Sequence, residues 1–223
     1  RLAEEARLAE EARLAAKKAA AAKAAADKAA AAEAAAEKAR LEKEARDWAI
    51  KGYNAKEYDK KISFCEKAIE LNPDYALAYY NMGNAYYDQG DYAKAMELYE
   101  KAIELKPDYA VAYFNMGDAY YKQGNTAKAM ENFEKAIELD PDDAVAYYNM
   151  GVAYRKQGNT AKAIESYEKA IELDPDNADA YLRLGNAYSK QGNTQLRLPN
   201  YKKAAKLGHQ DAQDWLKSIG HAW

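Results

Sequence analysis

Aromatic, aliphatic and small residues recur with a helical period through the central part of the chain. In the segment AYYNMGNAYY, Tyr79, Met82 and Tyr86 lie three, four or seven positions apart and share one face of a helix. The segment YAKAMELYEKAIEL follows, and its Ala95 and Tyr99 share a face in the same way. The pattern predicts two amphipathic helices that pack against each other.

A short polar break separates the two predicted helices. Gly90 favours the left-handed conformation that ends a helix, and Asp91 is a residue type that caps the start of the next helix. Asn125 and Asn159 take the position of Asp91 further along the chain. The second helix is expected to end before Pro107, which has no backbone N–H. Each unit is therefore predicted to be a helical hairpin.

The sequence pattern of this hairpin occurs several times along the chain. The string AYYNMG begins at Ala78 and returns unchanged at Ala146, while AYFNMG begins at Ala112, so that starts are 34 residues apart. A fixed period of this length is typical of stacked repeats in a solenoid. The spacing predicts regular repeats at 76–109, 110–143 and 144–177, a degenerate repeat at 42–75 and an irregular one at 178–208.

A glycine recurs in the middle of each first helix, at Gly83, Gly117, Gly151 and Gly185. Glycine inside a helix costs about 1 kcal/mol relative to alanine. Because the cost returns in every unit, we expect a compensating close approach of the partner helix at each glycine.

These residues resemble the tetratricopeptide repeat. Tyrosine, methionine, glycine and tyrosine in the first helix, followed by alanine, tyrosine, alanine and proline in the second, are similar to that family over 76–177. The resemblance implies an all-α fold, a right-handed superhelical solenoid, here preceded by one long alanine-rich helix. It also implies a concave face, lined by the first helices, on which peptides or proteins bind.

Residues 1–41 differ in composition from the repeats. They contain no glycine or proline and are rich in alanine, glutamate, lysine and arginine, which are strong helix formers. Leu2, Leu8 and Leu14 do not follow the heptad spacing of a coiled coil. Three interpretations stay open: a solvated spacer similar to alanine-rich stalks and EAAAK-type linkers, a helix that oligomerises through its alanines, and an engineered rigid extension.

The degenerate repeat departs from the pattern at three positions. Ala49 takes the place of the packing glycine, and Gly52 takes that of a tyrosine. Cys65 falls on the inward face, where a buried structural thiol is expected.

The irregular repeat departs from it in the second helix. Arg197 stands where other repeats have a small residue, and Pro199 falls inside the expected helix. An internal proline costs about 3 kcal/mol. We therefore expect this helix to be kinked or to begin late, near Pro199.

The last residues, 209–223, are expected to form a closing helix that covers the final repeat. Ala212, Trp215, Leu216 and Ile219 share one face of such a helix. This ending resembles the Sel1-like relatives of the tetratricopeptide repeat.

Composition and charge narrow the function. Charged residues make up 31% of the chain and the net charge is −3. A nucleic-acid-binding protein would show an excess or a patch of basic residues, so no nucleic-acid partner is expected. No apolar run is long enough for a membrane span, so no membrane insertion is expected. The single cysteine excludes an internal disulfide. The compartment stays undetermined, with a cytoplasmic location favoured over a periplasmic one.

The pattern contains no recognisable catalytic set. We find no nucleophile–base pair, phosphate loop or metal-ligand spacing, and His209 and His221 have no companion ligands. We therefore expect no enzymatic activity, no cofactor and no metal.

Candidate peptide-binding residues lie at recurring positions of the first helices. By the resemblance they are Tyr80, Asn81, Asn84, Tyr87, Phe114, Asn115, Asp118, Tyr121, Tyr148, Asn149, Arg155 and Asn186. Because an amide both donates and accepts, Asn81, Asn115 and Asn149 predict a ladder that holds a peptide backbone, similar to the ladders in O-GlcNAc transferase repeats. The alternative is that asparagine is simply common at this position. Chaperone-tail receptors need basic residues where Tyr80, Val145 and Asn149 stand, which argues against that function.

The sequence favours a non-catalytic protein- or peptide-binding scaffold that uses the concave groove. The alternative is a structural or designed self-assembling scaffold whose N-terminal helix mediates homo-oligomerisation. The sequence does not identify the partner.

Overall fold

The computed structural model describes residues 1–223 as eleven α-helices with no β-strand. The helices are α1 (Leu2–Asn54), α2 (Tyr58–Leu71), α3 (Ala76–Asp88), α4 (Tyr92–Leu105), α5 (Ala110–Lys122), α6 (Thr126–Leu139), α7 (Ala144–Lys156), α8 (Thr160–Leu173), α9 (Ala178–Lys190), α10 (Thr194–Lys206) and α11 (Gln210–Ser218). Each odd-numbered helix up to α9 packs against the next even-numbered one, and each hairpin packs against the following hairpin. The predicted all-α superhelical solenoid is confirmed.

The turns inside the hairpins follow the predicted chemistry. Gly90, Gly124 and Gly158 adopt φ values of 84°, 86° and 82°, a region that suits only glycine. After each glycine an Asp or Asn side chain accepts a hydrogen bond from the backbone N–H three residues further on. These capping residues are Asp91, Asn125, Asn159 and, in the irregular repeat, Asn193.

The mid-helix glycines mark close helix crossings, as predicted. A Cβ atom at Gly83 would lie 2.7 Å from the Tyr99 ring, and one at Gly117 would lie 2.8 Å from the Phe133 ring. Gly151 and Gly185 stand in the same relation to Tyr167 and Tyr201. A buried aromatic ring from the second helix therefore occupies the space that a side chain on the first helix would need.

The first hairpin also has a close approach at a glycine, which is Gly52. A Cβ atom at Gly52 would lie 2.8 Å from Cys65 Sγ and 3.2 Å from the Lys61 carbonyl oxygen, so Gly52 and not Ala49 is the packing glycine. Ala49 is fully buried in a small cluster with Ala68 and Ala78. Gly52 lies three residues after Ala49 on α1, and it faces Cys65, whose equivalents in the following hairpins are aromatic. Burial raises the pKa of the Cys65 thiol to about 12, as expected of an unreactive thiol.

Helix α1 runs without interruption from Leu2 to Asn54, a length of roughly 80 Å at 1.5 Å per residue. Its first forty residues are all exposed, and its buried residues, Ala45, Ala49 and Gly52, belong to the first hairpin. Side chains of α1 therefore become buried only where the first hairpin begins, and the helix itself is continuous there.

The irregular repeat keeps its second helix in full. Helix α10 begins at Thr194, as the Asn193 cap requires, so the expectation of a late start is wrong. Pro199 lies inside the helix and is exposed. The unusual Arg197 lies against aromatic rings, with its guanidinium carbon 4.2 Å from the centroid of Trp215 and 5.1 Å from that of Tyr201.

The closing helix α11 covers the last hairpin. Ala212 and Leu216 are fully buried against Leu182, Tyr201 and residues of α10. Trp215 is partly buried and its ring lies 4.3 Å from that of Tyr201. The helix ends at Ser218, so Ile219 is not part of it and is 45% exposed.

Candidate functional site

The first helices of the hairpins line the inner, concave side of the solenoid. Helix α1 approaches α3, α3 approaches α5, and α5 approaches α7, whereas the second helices of neighbouring hairpins stay further apart. Side chains from successive first helices therefore converge, and this surface is called the groove below. Its polar groups come from positions that repeat along the chain.

The predicted binding residues lie on α3, α5, α7 and α9, and most are half-buried. The half-buried ones are Tyr80, Asn84, Tyr87, Phe114, Asn115, Asp118, Tyr121, Tyr148, Asn149 and Asn186, and Arg155 is exposed. Rings from the second helices support them from below: the Phe114 and Phe133 centroids are 5.7 Å apart, and those of Tyr148 and Tyr167 are 5.9 Å apart. The groove thus has an aromatic floor with polar groups above it.

Asn81 is the most buried of the predicted groove residues, and its amide N–H is used within the fold. It is only 6% exposed, and its Nδ2 donates to the backbone carbonyl oxygen of Ala49 at 3.3 Å. Helix α1 covers it, because the degenerate hairpin stacks directly on α3. The amide N–H of Asn81 thus links α3 to α1, and the Asn81 side chain also lines the recess described below.

Asn115 lies at the centre of a hydrogen-bonded cluster between α3 and α5. Its Nδ2 donates to the Tyr80 hydroxyl at 3.1 Å and to Asn84 Oδ1 at 2.8 Å. The Tyr99 hydroxyl, which comes from the second-layer helix α4, also donates to Asn84 Oδ1 at 2.8 Å. Asn115 Oδ1 and Asn84 Nδ2 take part in no hydrogen bond, so the cluster retains one acceptor and one donor.

A recess of about 320 Å³ opens beside this cluster. Two carboxylates line it: Asp118, which accepts a hydrogen bond from the Tyr87 hydroxyl, and Asp88, which lies 3.6 Å from Lys61 Nζ. Burial, and then the contact with Asp118, raises the pKa of Tyr87 well above its usual range. Tyr87 is therefore a fixed hydrogen-bond donor, and the recess carries an excess of negative charge.

Hydrogen bonding in the groove changes from repeat to repeat. The inward ring of each second helix faces the groove position fifteen residues earlier. Tyr99 donates to Asn84, and Tyr201 donates to Asn186. Phe133 has no hydroxyl, and the facing Asp118 bonds to Tyr87 instead.

The remaining repeat leaves its tyrosine hydroxyl without a partner. Tyr167 is fully buried, and its hydroxyl makes no hydrogen bond because the facing residue is Val152. Burial raises the pKa of Tyr167 to about 12, so that the proton stays on the hydroxyl at neutral pH. A buried donor with no acceptor costs about 1–3 kcal/mol.

Replacing Tyr167 by phenylalanine is therefore expected to raise the free energy of unfolding by about 1 kcal/mol. The matched change Tyr99→Phe removes a hydroxyl that has a partner and is expected to lower the free energy of unfolding by about 1 kcal/mol. Urea denaturation of both variants measures the difference. Equal effects of the same sign would contradict our assignment of the unpaired hydroxyl.

Asn149 lies on α7 between these clusters and keeps its amide free. It is half-buried and makes no side-chain hydrogen bond, unlike Asn81 and Asn115. Val111 and Val145, one turn earlier on α5 and α7, are 44% and 51% exposed. The centre of the groove therefore presents an unused amide beside exposed apolar side chains.

The predicted set of groove residues does not include the hydroxyls that reach these positions from the second helices. Tyr99, on the inward face of a second helix, and Tyr201, at the same position of the irregular repeat, both hydrogen-bond to groove residues. The sequence contained one indication of these contacts. Phe133 replaces the tyrosine of α4, α8 and α10 at the one position where an aspartate, Asp118, faces it. Lys61 and Asp88, which line the recess, were also absent from the predicted set.

No group of three or more His, Cys, Asp or Glu side chains is placed to hold a metal ion. None of the eleven helices is both long and apolar enough to span a membrane.

The chain matches profiles of known repeat families over most of its solenoid. A profile described as TPR repeat matches residues 83–124, 117–158 and 152–192. Two profiles described as tetratricopeptide repeat match 64–97 and 178–207. No curated protein sequence matches the chain.

Solved structures of similar proteins share the fold. The crystal structure of MamA is 30% identical, with 70% of this chain and 91% of that chain aligned and a TM-score of 0.64. YrrB, described as a TPR protein with an unusual peptide-binding site, is 27% identical over 72% of this chain and 84% of its own, with a TM-score of 0.61. A MamA fragment from Desulfovibrio magneticus RS-1 is 24% identical over 77% and 97% of the two chains, with a TM-score of 0.68.

Proposed function

The chain belongs to the tetratricopeptide repeat family of helical scaffolds, and we propose that it binds an extended peptide segment of a partner protein in its groove. The proposal rests on one observation: half-buried amides in the groove keep hydrogen-bonding groups that the fold does not use. A half-buried polar group without a partner favours a ligand that supplies one. A peptide backbone supplies both donors and acceptors along its length.

The contact of Asn81 illustrates the interaction that we propose for the other asparagines. Its Nδ2 donates to a backbone carbonyl oxygen, that of Ala49 in α1. Asn149, two repeats further on, has the same amide with no partner, and Asn115 has a free Oδ1. In the proposed complex Asn149 contacts a ligand carbonyl and Asn115 accepts a ligand N–H. Of the three asparagines in the predicted ladder, Asn115 and Asn149 therefore keep groups that are free for a ligand, whereas the amide N–H of Asn81 is used by the chain itself.

The aromatic and aliphatic groups of the groove provide the apolar part of the contact. Phe114, Tyr121 and Tyr148 are half-buried, and Val145 is 51% exposed. Rigid rings lose little conformational entropy on binding, which favours them as contact residues. Main-chain hydrogen bonds would then contribute affinity, while the apolar side chains would select residues of the ligand.

Asn149→Ala is expected to weaken binding of the best ligand from a peptide array about tenfold, since one hydrogen bond contributes about 1–1.5 kcal/mol. The matched control is Asn132→Ala on the outer helix α6, where the amide donates only to the Lys128 carbonyl of its own helix. Fluorescence anisotropy measures both variants against the wild-type chain. An Asn115→Ala, Asn149→Ala double variant with wild-type affinity would exclude the asparagine mechanism, and an array with no binding peptide would exclude the function.

Self-association through α1 stays a prediction. The first forty residues are exposed along their whole length and pack against no other part of the chain. Their free surface is compatible with the spacer and with the oligomerising helix, and it favours neither over the other.

A further inference from the structure

The recess beside Asn115 is built by three successive hairpins. Its lining comes from the end of α1, from α3 and from α5, together with Lys61 of α2 and Tyr99 of α4. Its volume of about 320 Å³ lies at the lower end of the range found for ligand sites, so it suits one side chain of a bound peptide.

Two side-chain oxygens in the recess accept no hydrogen bond and are not used by the backbone contacts proposed above. They are Oδ1 of Asn81 and Oδ1 of Asp118. The hydroxyls of Tyr87 and Tyr99 also line the recess, but they already donate to other residues of the chain. The recess therefore favours a ligand group that donates several hydrogen bonds at once.

Asn81 is the more buried of the two acceptors. Its side chain is only 6% exposed, and its Nδ2 donates to the Ala49 carbonyl oxygen at 3.3 Å, which leaves Oδ1 without a donor. Buried polar groups nearly always have a hydrogen-bond partner. An unused oxygen on a buried side chain that lines a recess therefore points to a donor supplied from outside the chain.

Asp118 gives the recess its excess of negative charge. It is half-buried and takes part in no ion pair, whereas Asp88 lies 3.6 Å from Lys61 Nζ. The Tyr87 hydroxyl that donates to Asp118 is neutral, so it leaves the charge of the carboxylate in place. A half-buried carboxylate without a cation favours a ligand that brings one.

An aromatic ring completes the lining. Tyr53, near the end of α1, lines the recess and is 70% exposed, so its ring contributes little to packing. The face of a tyrosine ring attracts a cation by about 0.5–1 kcal/mol at exposed sites. The ring thus favours the same kind of ligand as the carboxylate of Asp118.

We propose that this recess binds a cationic nitrogen group of the peptide, with Asp118 as the counter-ion and Asn81 Oδ1 as a second acceptor. The inference rests on the proposed peptide-binding function and adds the chemical class that one part of the groove selects. An arginine side chain fits best, because its planar guanidinium group carries five N–H donors. A lysine side chain and the N-terminal amine of a peptide share the charge and the donors, so the experiment includes all three sources.

The test uses acetylated, C-terminally amidated peptides in which one arginine is scanned through an alanine–tyrosine framework. Each peptide has a twin with citrulline, in which a neutral urea of similar shape replaces the guanidinium group. In fluorescence anisotropy the best arginine peptide is expected to bind about tenfold more tightly than its citrulline twin.

Two further peptides distinguish the sources of the cation. One has lysine in place of arginine, and the other has citrulline and a free N-terminal amine. A gain confined to the free-amine peptide would assign the recess to the peptide N-terminus. Equal binding of all four peptides would overturn the cation site and leave the peptide-binding function standing, whereas no binding by any peptide would overturn both.

Asp118→Asn assigns the effect to the recess. The variant keeps an oxygen that can accept from the Tyr87 hydroxyl and removes only the charge. The preference for arginine over citrulline is expected to fall from about tenfold to about twofold or less. The matched control is Asp108→Asn, in the exposed turn between α4 and α5, which is expected to keep the full preference. An unchanged preference in Asp118→Asn would contradict the proposal.

Lys61→Gln is expected to act in the opposite direction. It removes the cation that neutralises Asp88, so the negative charge of the recess rises and the preference for arginine is expected to increase about threefold. A variant that merely loosens the fold would weaken the binding of arginine and citrulline peptides alike. A preference that falls or stays the same in Lys61→Gln would show that the charge of the recess does not select the ligand.

Discussion

Phe133→Ala is expected to lower the free energy of unfolding by about 3–5 kcal/mol. The Phe133 side chain is fully buried, and it packs in one cluster with Ala129, Met150 and Ala153. It joins two hairpins, because Met150 and Ala153 belong to the following one. Loss of the ring therefore leaves a cavity inside one repeat and removes part of the contact with the next. Urea denaturation followed by circular dichroism measures the change.

The same ring determines what happens at Gly117. In the wild-type chain Gly117→Ala is expected to cost about 1–2 kcal/mol, since a Cβ atom there would lie 2.8 Å from the Phe133 ring and 3.1 Å from the Ala129 carbonyl oxygen. In the Phe133→Ala background the ring is absent, but the approach of 3.1 Å to the Ala129 carbonyl oxygen remains and opposes the higher helix propensity of alanine, so the cost of Gly117→Ala is expected to fall by about 1 kcal/mol. The cost of one substitution thus depends on the other.

Gly124→Ala is the control for the comparison of Gly117→Ala with and without the Phe133 ring. Gly124 has a φ of 86° and nothing within 4 Å of a Cβ atom, so its cost is conformational strain of about 1–2 kcal/mol. That cost is expected to be the same with and without the Phe133 ring. If Gly117→Ala also has the same effect in both backgrounds, the ring does not explain the glycine.

The regular hairpins could be predicted from the sequence because their determinants are local. Gly90 ends one helix and Asp91 caps the next within a few residues, and the Gly83–Tyr99 crossing is repeated with only conservative changes. The degenerate repeat was different. The boundaries of α2 kept the period, but the close approach to Cys65 lies at Gly52, where the following repeats have a tyrosine. Counting residues thus predicted where the helices begin and end, but not which residue of α1 lies against Cys65.

Pro199 shows the same limit at the other end of the solenoid. The penalty for an internal proline favoured a late helix start, yet α10 begins at Thr194. The Asn193 cap and the burial of Tyr201 in α10 together fix the start and the position of the helix. Local capping and tertiary packing thus outweigh the loss of a single backbone hydrogen bond.

The candidate site could be predicted as a set of positions but not as a set of available groups. Asn81, Asn115 and Asn149 occupy one repeat position and differ entirely in their hydrogen bonds. The differences come from neighbours in other helices: α1 covers Asn81, and Tyr80 and Asn84 engage Asn115. The sequence of a single repeat does not predict these hydrogen bonds, because the partners of each groove residue come from the adjacent repeat.

Leu216→Ala is expected to cost about 2–5 kcal/mol, and the loss is expected to stay at the C-terminal end of the solenoid. Leu216 is fully buried and fixes α11 against Leu182, Tyr201 and the alanines of α10. In a solenoid each repeat contacts only its neighbours, so a loosened cap exposes the last hairpin without touching the first ones. Hydrogen exchange is expected to accelerate in α9 and α10 and to stay unchanged in α3 and α4.

The control lies on the same segment. Ile219 is 45% exposed and follows the end of α11, so Ile219→Ala is expected to change the free energy of unfolding by less than about 0.5 kcal/mol. A uniform acceleration of exchange in all helices of Leu216→Ala would mean that the chain unfolds as one cooperative unit. Acceleration confined to α9 and α10 would instead show that the last hairpin opens while the earlier hairpins stay folded. A ligand that contacts α9 in the groove, for example at Asn186, would then stabilise this end by RT ln(1 + [L]/Kd), and slower exchange in α9 would report binding directly.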